Sequence, residues 1–208
     1  MPCSLCSGRT LEFIEFENRK YFQCTNCGAV LLSPACYIPR EAEKQRYESH
    51  NNDVNDPDYQ KFVSPITSRI LKDFGPQHQG LDFGCGTGPV ITSELGKKNY
   101  KVSLYDPYFR PNSSVMENQY NYIICCEVME HFHEPAKEFE RLSSLLVTGG
   151  KLYCKTSLFS EEIDFRDWYY KNDPTHVFLY TRESLQWIKD HCGFKSLEIS
   201  PKLIVFGK

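Results

Sequence analysis

Apolar and polar positions alternate over "LEFIEF" (residues 11–16) and again over "KYFQC" (residues 20–24), the period-two signature of two paired strands. The period then changes. Residues 40–48 are charged and helix-spaced, "NNDVNDPD" interrupts them, and residues 58–74 resume a 3.6-residue repeat with Phe62, Ile66, Ile70 and Phe74 on one stripe. A short apolar stretch leads directly into "LDFGCGTG" at residues 81–88, which sets three glycines in five positions. Farther on, Thr181 caps and Gly193 stops a helix over residues 181–192, with Leu185 and Ile188 on its inner face. The closing "FKSLEISPKLIVFGK" reads as an antiparallel pair turning near Pro201.

A chain of 208 residues has room for one α/β core and a small appendage, not for two full catalytic domains. The formal net charge of −3, with no Lys/Arg run, supplies no cationic field for nucleic acid, so a small-molecule partner is expected instead. No apolar run is long enough to span a bilayer. The ten cysteines follow no secretory leader, and six of them are scattered through helix-like and strand-like segments, which predicts a reducing cytoplasm rather than a disulfide framework.

Four of those cysteines are not scattered. Cys3 and Cys6 form one C-x2-C pair, Cys24 and Cys27 another, seventeen residues apart, and Gly8 and Gly28 follow the pairs where knuckle turns need permissive backbone. The spacing predicts a zinc ribbon. Four thiolates complete a tetrahedral shell and leave no open position for water, so the metal is expected to be structural. Arg9, Arg19 and Lys20 are balanced by Glu12, Glu15 and Glu17, which argues against a ribbon that reads nucleic acid.

The glycine loop raises its own question of what must approach the backbone so closely. A dinucleotide site places its third glycine for tight helix packing, as G-x-G-x-x-G, whereas here Gly84, Gly86 and Gly88 are evenly spaced and Pro89 follows. Asp82 precedes the loop at the end of a strand, where a carboxylate suits a cationic group. An acid at one end and a helix N-terminus at the other suit a zwitterion such as S-adenosylmethionine.

"LDFGCGTG" closely resembles the first motif of class I S-adenosylmethionine-dependent methyltransferases, and the resemblance covers about residues 58–208. In that light "KVSLYDP" resembles the second strand, ending in Asp106 where the family places an acid on the ribose hydroxyls. "YNYIICCEVMEHF" resembles the fourth strand and the start of the helix beyond it, and "TGGKLYCKT" the turn and fifth strand. The segment "PYFRPNSSVMENQ" is too short for the helix and third strand that usually intervene, so no adenine contact is carried onto it. The resemblance implies a cofactor site of Asp82, Gly84, Cys85, Gly86, Gly88, Asp106 and Glu127.

Catalytic candidates lie after the fourth strand and before the last helix, at the edge where open α/β sheets bind ligands. Glu127, Glu130 and His131 stand at i, i+3 and i+4, on one face of a beginning helix, and "NDPTH" supplies His176. The spacing resembles the E-x-x-E-H segment of ubiquinone-pathway and small-RNA 3′-end O-methyltransferases, where it serves a divalent metal and, in the second group, a later histidine completes the site. Two readings stay open. In one, the set binds a second divalent metal; in the other, Glu127 supports the cofactor loop, Glu130 is solvated, and His131 and His176 act as bases without metal. Trp168, Tyr169 and Tyr170 either pack or stack an acceptor. Tyr47, His50, Asn51 and Asn52 are polar groups on a potential lid.

The expectation is therefore an α/β, Rossmann-like, doubly wound methyltransferase sheet with an antiparallel last strand. A zinc ribbon occupies residues 1–37, a helical connector 38–77 and the cofactor-binding domain 78–208. Its expected activity is O-methylation of a small-molecule acceptor, with an RNA ribose 2′-O-methyltransferase or a non-catalytic cofactor-binding module as alternatives.

Overall fold

The computed structural model describes residues 1–49 and 53–208. The lid residues His50, Asn51 and Asn52 lie outside the described residues. Strands β1 (Thr10–Phe16), β2 (Arg19–Cys24) and β3 (Val30–Leu32) form an antiparallel meander at the N-terminus. Helix α1 (Arg40–Glu48) and helix α2 (Pro57–Asp73) follow. The first two strands fall where alternation predicts them. α2 starts where Asp56 accepts a hydrogen bond from the Asp58 N–H (2.9 Å) and Pro57 fills the first helical position, where no donor is needed.

The main sheet uses β4 (Gln79–Phe83), β5 (Lys101–Tyr105), β6 (Tyr120–Cys126), β7 (Leu146–Lys155), β9 (Ser196–Ser200) and β10 (Leu203–Gly207), with helix α3 (Val90–Gly96) after β4 and α4 (Pro135–Leu145) before β7. Between β7 and β9 come the short β8 (Phe178–Leu179) and helix α5 (Arg182–His191). The spatial order is β5-β4-β6-β7-β10-β9, with the first four strands parallel and β10 antiparallel to both neighbours. This is the expected doubly wound sheet with its antiparallel last strand. Between β5 and β6 the chain makes a turn closed by backbone hydrogen bonds between Asp106 and Arg110 and a 3-10 turn at Ser113–Glu117, and no named strand forms there among the described residues.

Period-two alternation sorts the core into two layers. Tyr122, Ile124, Tyr153 and Val205 face α2 and α3, packing on Ile66, Ile70, Val90 and Leu95. Ile123, Cys125, Leu152, Cys154, Ile204 and Phe206 face the other way, onto Phe139 and Leu142 of α4 and Leu185 and Ile188 of α5. The α2 stripe differs from expectation at one position. Phe62 is 40 % exposed and Val63 takes its place inside, because Phe62 stacks on Tyr59 (5.8 Å) at a cavity mouth with the Lys155 ammonium over its ring.

The N-terminal sheet gains a fourth strand from far along the chain. β8 pairs with β3, Val30 opposite Leu179 and Leu31 opposite Phe178, giving the order β1-β2-β3-β8. Its apolar residues Leu5, Tyr21, Val30, Leu31 and Leu32 join the same cluster as α4 and α5. α5 is fixed at its start by reciprocal hydrogen bonds between Thr181 and Ser184, and the chain leaves it through Gly193 at φ +82°.

Candidate active site

A cavity of about 910 Å³ opens at the carboxyl ends of β4, β5 and β6, where parallel sheets bind ligands. Gly84 (φ +79°) and Gly86 (φ +61°) turn the loop after β4 in the left-handed region, and a Cβ on Gly84 would lie 2.5 Å from Val128 Cγ2. The loop is tied to the next strand. The N–H groups of Gly84 and Cys85 donate to the Tyr105 carbonyl (2.8 and 3.1 Å), and that of Gly86 to Asp106 Oδ2 (3.0 Å). Asp106 Oδ1 accepts from Tyr108 and Phe109 (2.9 and 3.0 Å), so this acid is oriented by three backbone donors. Burial pushes the Cys85 thiol up to about 12, leaving it neutral.

Of the seven residues expected around the cofactor, Gly84, Cys85, Gly86, Asp106 and Glu127 line the cavity, and Asp82 and Gly88 do not. Asp82 is buried behind the wall, where its Oδ2 accepts from the Thr92 hydroxyl (2.7 Å) and burial raises its carboxyl to about 6. The strand's alternation turns this side chain away from the pocket. Asp82 thereby ties the end of β4 to α3.

The segment after β6 is not the regular helix that i, i+3, i+4 spacing suggested. Glu127 sits at φ +52°, outside any helix, with its N–H on the Lys155 carbonyl (2.8 Å), and only Met129–His131 form a 3-10 turn. A non-glycine residue held there is strained, a condition that clusters at functional sites. Glu130 is fully buried, not solvated. The Tyr170 hydroxyl lies 2.5 Å from Glu130 Oε1, 3.2 Å from Glu127 Oε2 and 2.7 Å from Thr156 Oγ1. Burial is the main cause that raises Glu130 to about 7; burial and then the Glu130 charge raise Glu127 to about 8.

Both histidines converge on this carboxyl. His131 Nε2 and His176 Nε2 each lie 3.9 Å from Glu130 Oε1. Their other nitrogens face backbone carbonyls, His131 Nδ1 on Thr175 (2.9 Å) and His176 Nδ1 on Tyr170 (2.6 Å). A carbonyl only accepts, so each Nδ1 carries the proton and each Nε2 presents a lone pair. Burial lowers both imidazoles, His176 to about 4, so both are neutral at pH 7. Glu130 Oε2 has no hydrogen-bond partner among the described residues.

Helix α1 covers this cluster. The Tyr47 ring stands edge-on to His131 (5.2 Å), Glu43 accepts from the Tyr108 hydroxyl (2.5 Å), and Arg46 pairs with Asp173 (2.8 Å). Trp168 is packing, buried against Phe159, Phe165 and Tyr170, whereas Tyr169 is 70 % exposed on the cavity rim. The hydroxyl role of Tyr170 was missed, since only the aromatic run "WYY" marks it in the sequence.

At the opposite end, Cys3, Cys6, Cys24 and Cys27 bring their sulfurs within 4.8 Å of one another. The N–H groups of Gly8 (3.4 Å) and Asn26 (3.4 Å) point at Cys6 and Cys24 sulfurs. The Cys27 thiol holds Cys3 down at about 5, while its bond to Cys3 and its burial push Cys27 up.

Residues 56–199 match the family model described as a methyltransferase domain, so the chain belongs to that family and is an S-adenosylmethionine-dependent methyltransferase. No curated protein matches the sequence. Among solved structures it is similar to Burkholderia thailandensis 1,6-didemethyltoxoflavin-N1-methyltransferase, solved with 1,6-didemethyltoxoflavin and S-adenosylhomocysteine, at TM-score 0.58 and 13 % identity over 95 % of this chain and 98 % of that one. Human N-acetylserotonin methyltransferase in complex with S-adenosylmethionine aligns at TM-score 0.53 and 13 % identity, covering 84 % of this chain and 58 % of that one. An O-methyltransferase family protein from Burkholderia thailandensis aligns at 0.52 and 10 %, covering 72 % and 56 %. This chain spans little more than half the length of the last two. Among its described residues no helix is long and apolar enough to cross a membrane.

Proposed function

We propose that the chain methylates an oxygen of a small-molecule acceptor held between the glycine loop and the Glu130–His131–His176 cluster. The carrying observation is that the unprotonated Nε2 atoms of two histidines both lie 3.9 Å from one carboxyl oxygen in the lining of the cavity. Fold neighbours include both N- and O-methyltransferases. Oxygen is favoured because a hydroxyl must lose a proton as it is alkylated, and this cluster is built to take one.

Gly84, Gly86 and Asp106 would hold the cofactor: the glycines admit close backbone approach, and Asp106 offers an oriented acceptor to ribose hydroxyls. S-adenosylmethionine, when bound, supplies an electrophilic methyl group and leaves as a neutral thioether. The protein's part is alignment and proton removal in a pocket closed by α1. An acceptor hydroxyl beside Nε2 of His131 or His176 gives its proton to that nitrogen as the new C–O bond forms. Glu130, 3.9 Å away and titrating near 7, stabilises the imidazolium.

One further observation favours a second reading. Glu130, His131 and His176 place a donor atom each within 4.8 Å of one another, both imidazoles are anchored through Nδ1, and Glu130 Oε2 has no hydrogen-bond partner among the described residues, which suits a divalent cation site. Two nitrogen ligands favour Mn²⁺, Co²⁺ or Zn²⁺ over Mg²⁺. The His131→Ala, His176→Ala double variant decides, read as transfer of labelled methyl groups into a metabolite extract. The base reading predicts a loss of about a hundredfold or more, S-adenosylhomocysteine affinity nearly unchanged, and little response to chelator once the four-cysteine zinc is protected. Loss in chelator with recovery in Mn²⁺ selects the metal. Full activity in the double variant without metal dependence overturns both.

We also assign Cys3, Cys6, Cys24 and Cys27 to one structural zinc. The four sulfurs and the N–H groups aimed at them match a closed thiolate shell. Elemental analysis tests this; freshly purified protein without zinc contradicts it.

A further inference from the structure

The four-cysteine sheet is hydrogen-bonded to the residues that carry the acceptor-side cluster. Val177, next to His176, bridges the two: its carbonyl accepts from Leu32 of β3 (2.9 Å), and its N–H donates to the carbonyl of Glu130 (3.0 Å). A second link runs through Arg19 of β2, whose guanidinium donates to the Lys171 carbonyl (2.7 Å). Lys171 adjoins Tyr170, which receives His176 Nδ1 on its own carbonyl and binds Glu130 through its hydroxyl. A third link is a chain of rings: Tyr21 on Phe165 (4.9 Å), Phe165 on Trp168 (6.3 Å), Trp168 on Tyr170 (5.3 Å).

The cofactor half is held differently. The glycine loop is fastened to Tyr105 and Asp106, and among the described residues no hydrogen bond joins residues 1–37 to residues 79–110. α2 and α3, which support β4 from behind, pack in an apolar cluster that contains no residue of the N-terminal sheet, and among the described residues the only apolar link from that sheet to β4 runs through the shared core at Leu81 and Phe83.

We infer that the four-cysteine sheet is the positioning element of the acceptor site: it sets Glu130, Tyr170 and His176 in place while the cofactor site forms without it. The inference rests on reading that cluster as the catalytic centre. The physical reason is the length and irregularity of the segment between β7 and β8. Residues 156–177 hold only a single 3-10 turn, at Tyr169–Asn172, so local structure does little to order them and their placement depends on what they lean against. A small metal-bound sheet owes its own order to its metal. Metal occupancy at the four cysteines is thereby coupled to the geometry of two histidines that do not touch it.

The test uses full-length protein saturated with S-adenosylhomocysteine, histidine ring signals in NMR spectra and amide hydrogen exchange. Arg19→Ala removes one link and leaves the cysteines intact; Arg19→Lys keeps a donor and serves as the rescue variant; chelator on the wild-type protein removes the metal. Expected in Arg19→Ala and in chelator are shifted His131 and His176 ring signals and faster exchange at Val177. S-adenosylhomocysteine affinity should stay within about threefold, as for independent sites, and Arg19→Lys should restore the signals. Unchanged histidine signals after both perturbations overturn the inference. A fall in S-adenosylhomocysteine affinity parallel to the histidine changes also overturns it, because the two halves would then be one unit. Failure of the wild-type protein to bind S-adenosylhomocysteine at all overturns the underlying methyltransferase reading instead, before any variant is made.

Discussion

The Tyr170 hydroxyl lies 2.5 Å from Oε1 of Glu130, across forty residues of chain and in a pocket that water does not reach from the Glu130 side. That contact satisfies one oxygen of a fully buried carboxyl whose other oxygen has no partner among the described residues. Tyr170→Phe takes the donor away and keeps the ring packing on Trp168. The expected cost is about 1–3 kcal/mol of stability, the desolvation penalty of a buried acceptor left unpaired. It should also lower methyl transfer while S-adenosylhomocysteine still binds. Thermal unfolding and calorimetry check this; a variant as stable and as active as wild type contradicts it.

Gly84→Ala is expected to abolish cofactor binding without unfolding the sheet. The residue sits at φ +79°, and the added methyl group would lie 2.5 Å from Val128, so the loop must move from the geometry that faces the cavity. Asp106→Ala should weaken binding by about tenfold or more, since a charged hydrogen-bond acceptor contributes about 1.5–3 kcal/mol. Titration calorimetry with S-adenosylhomocysteine reads both. Wild-type affinity in Gly84→Ala would remove the glycine loop from the cofactor site.

Asp82 gives the pH prediction. Burial raises its folded carboxyl to about 6, above the ordinary carboxylate range near 4, so the folded state binds that proton more tightly than the unfolded chain. The stability this contributes is complete below the unfolded value and is lost as pH rises through about 6. Asp82→Asn has no such group and can still accept from Thr92. Its stability relative to wild type should therefore rise between pH 4 and pH 7, by up to about 3 kcal/mol for a shift of roughly two units. Denaturant unfolding at several pH values measures the difference, and a difference that stays constant with pH contradicts the assignment.

Much of this architecture is legible in the chain because its signals are local. The glycines after an apolar strand, the two C-x2-C pairs, the Thr181 cap with Gly193, and the terminal pair around Pro201 each depend on neighbours within a few residues. What stayed hidden is non-local or conformational. β8 has two residues, too few for any period, and becomes a strand only because β3 offers it an edge nearly 150 positions earlier in the chain. Glu127 sits at positive φ, which helical spacing does not foresee. Asp82 turns inward because alternation along a buried strand, not the chemistry of a ligand, sets its side. Phe62 leaves its stripe for a cavity mouth, where β7 brings the Lys155 ammonium over its ring from a distant part of the chain.

The activity proposed for this chain is methyl transfer from S-adenosylmethionine to an oxygen of a small molecule. Methyl-labelled cofactor added with the protein to a cell extract, followed by separation into nuclease-treated, protease-treated and small-molecule fractions, measures it. Label is expected in the small-molecule fraction, insensitive to nuclease and protease, with the methyl group on oxygen by mass spectrometry. Label confined to nuclease-sensitive or protease-sensitive material, or no transfer above a Gly84→Ala control, would contradict it.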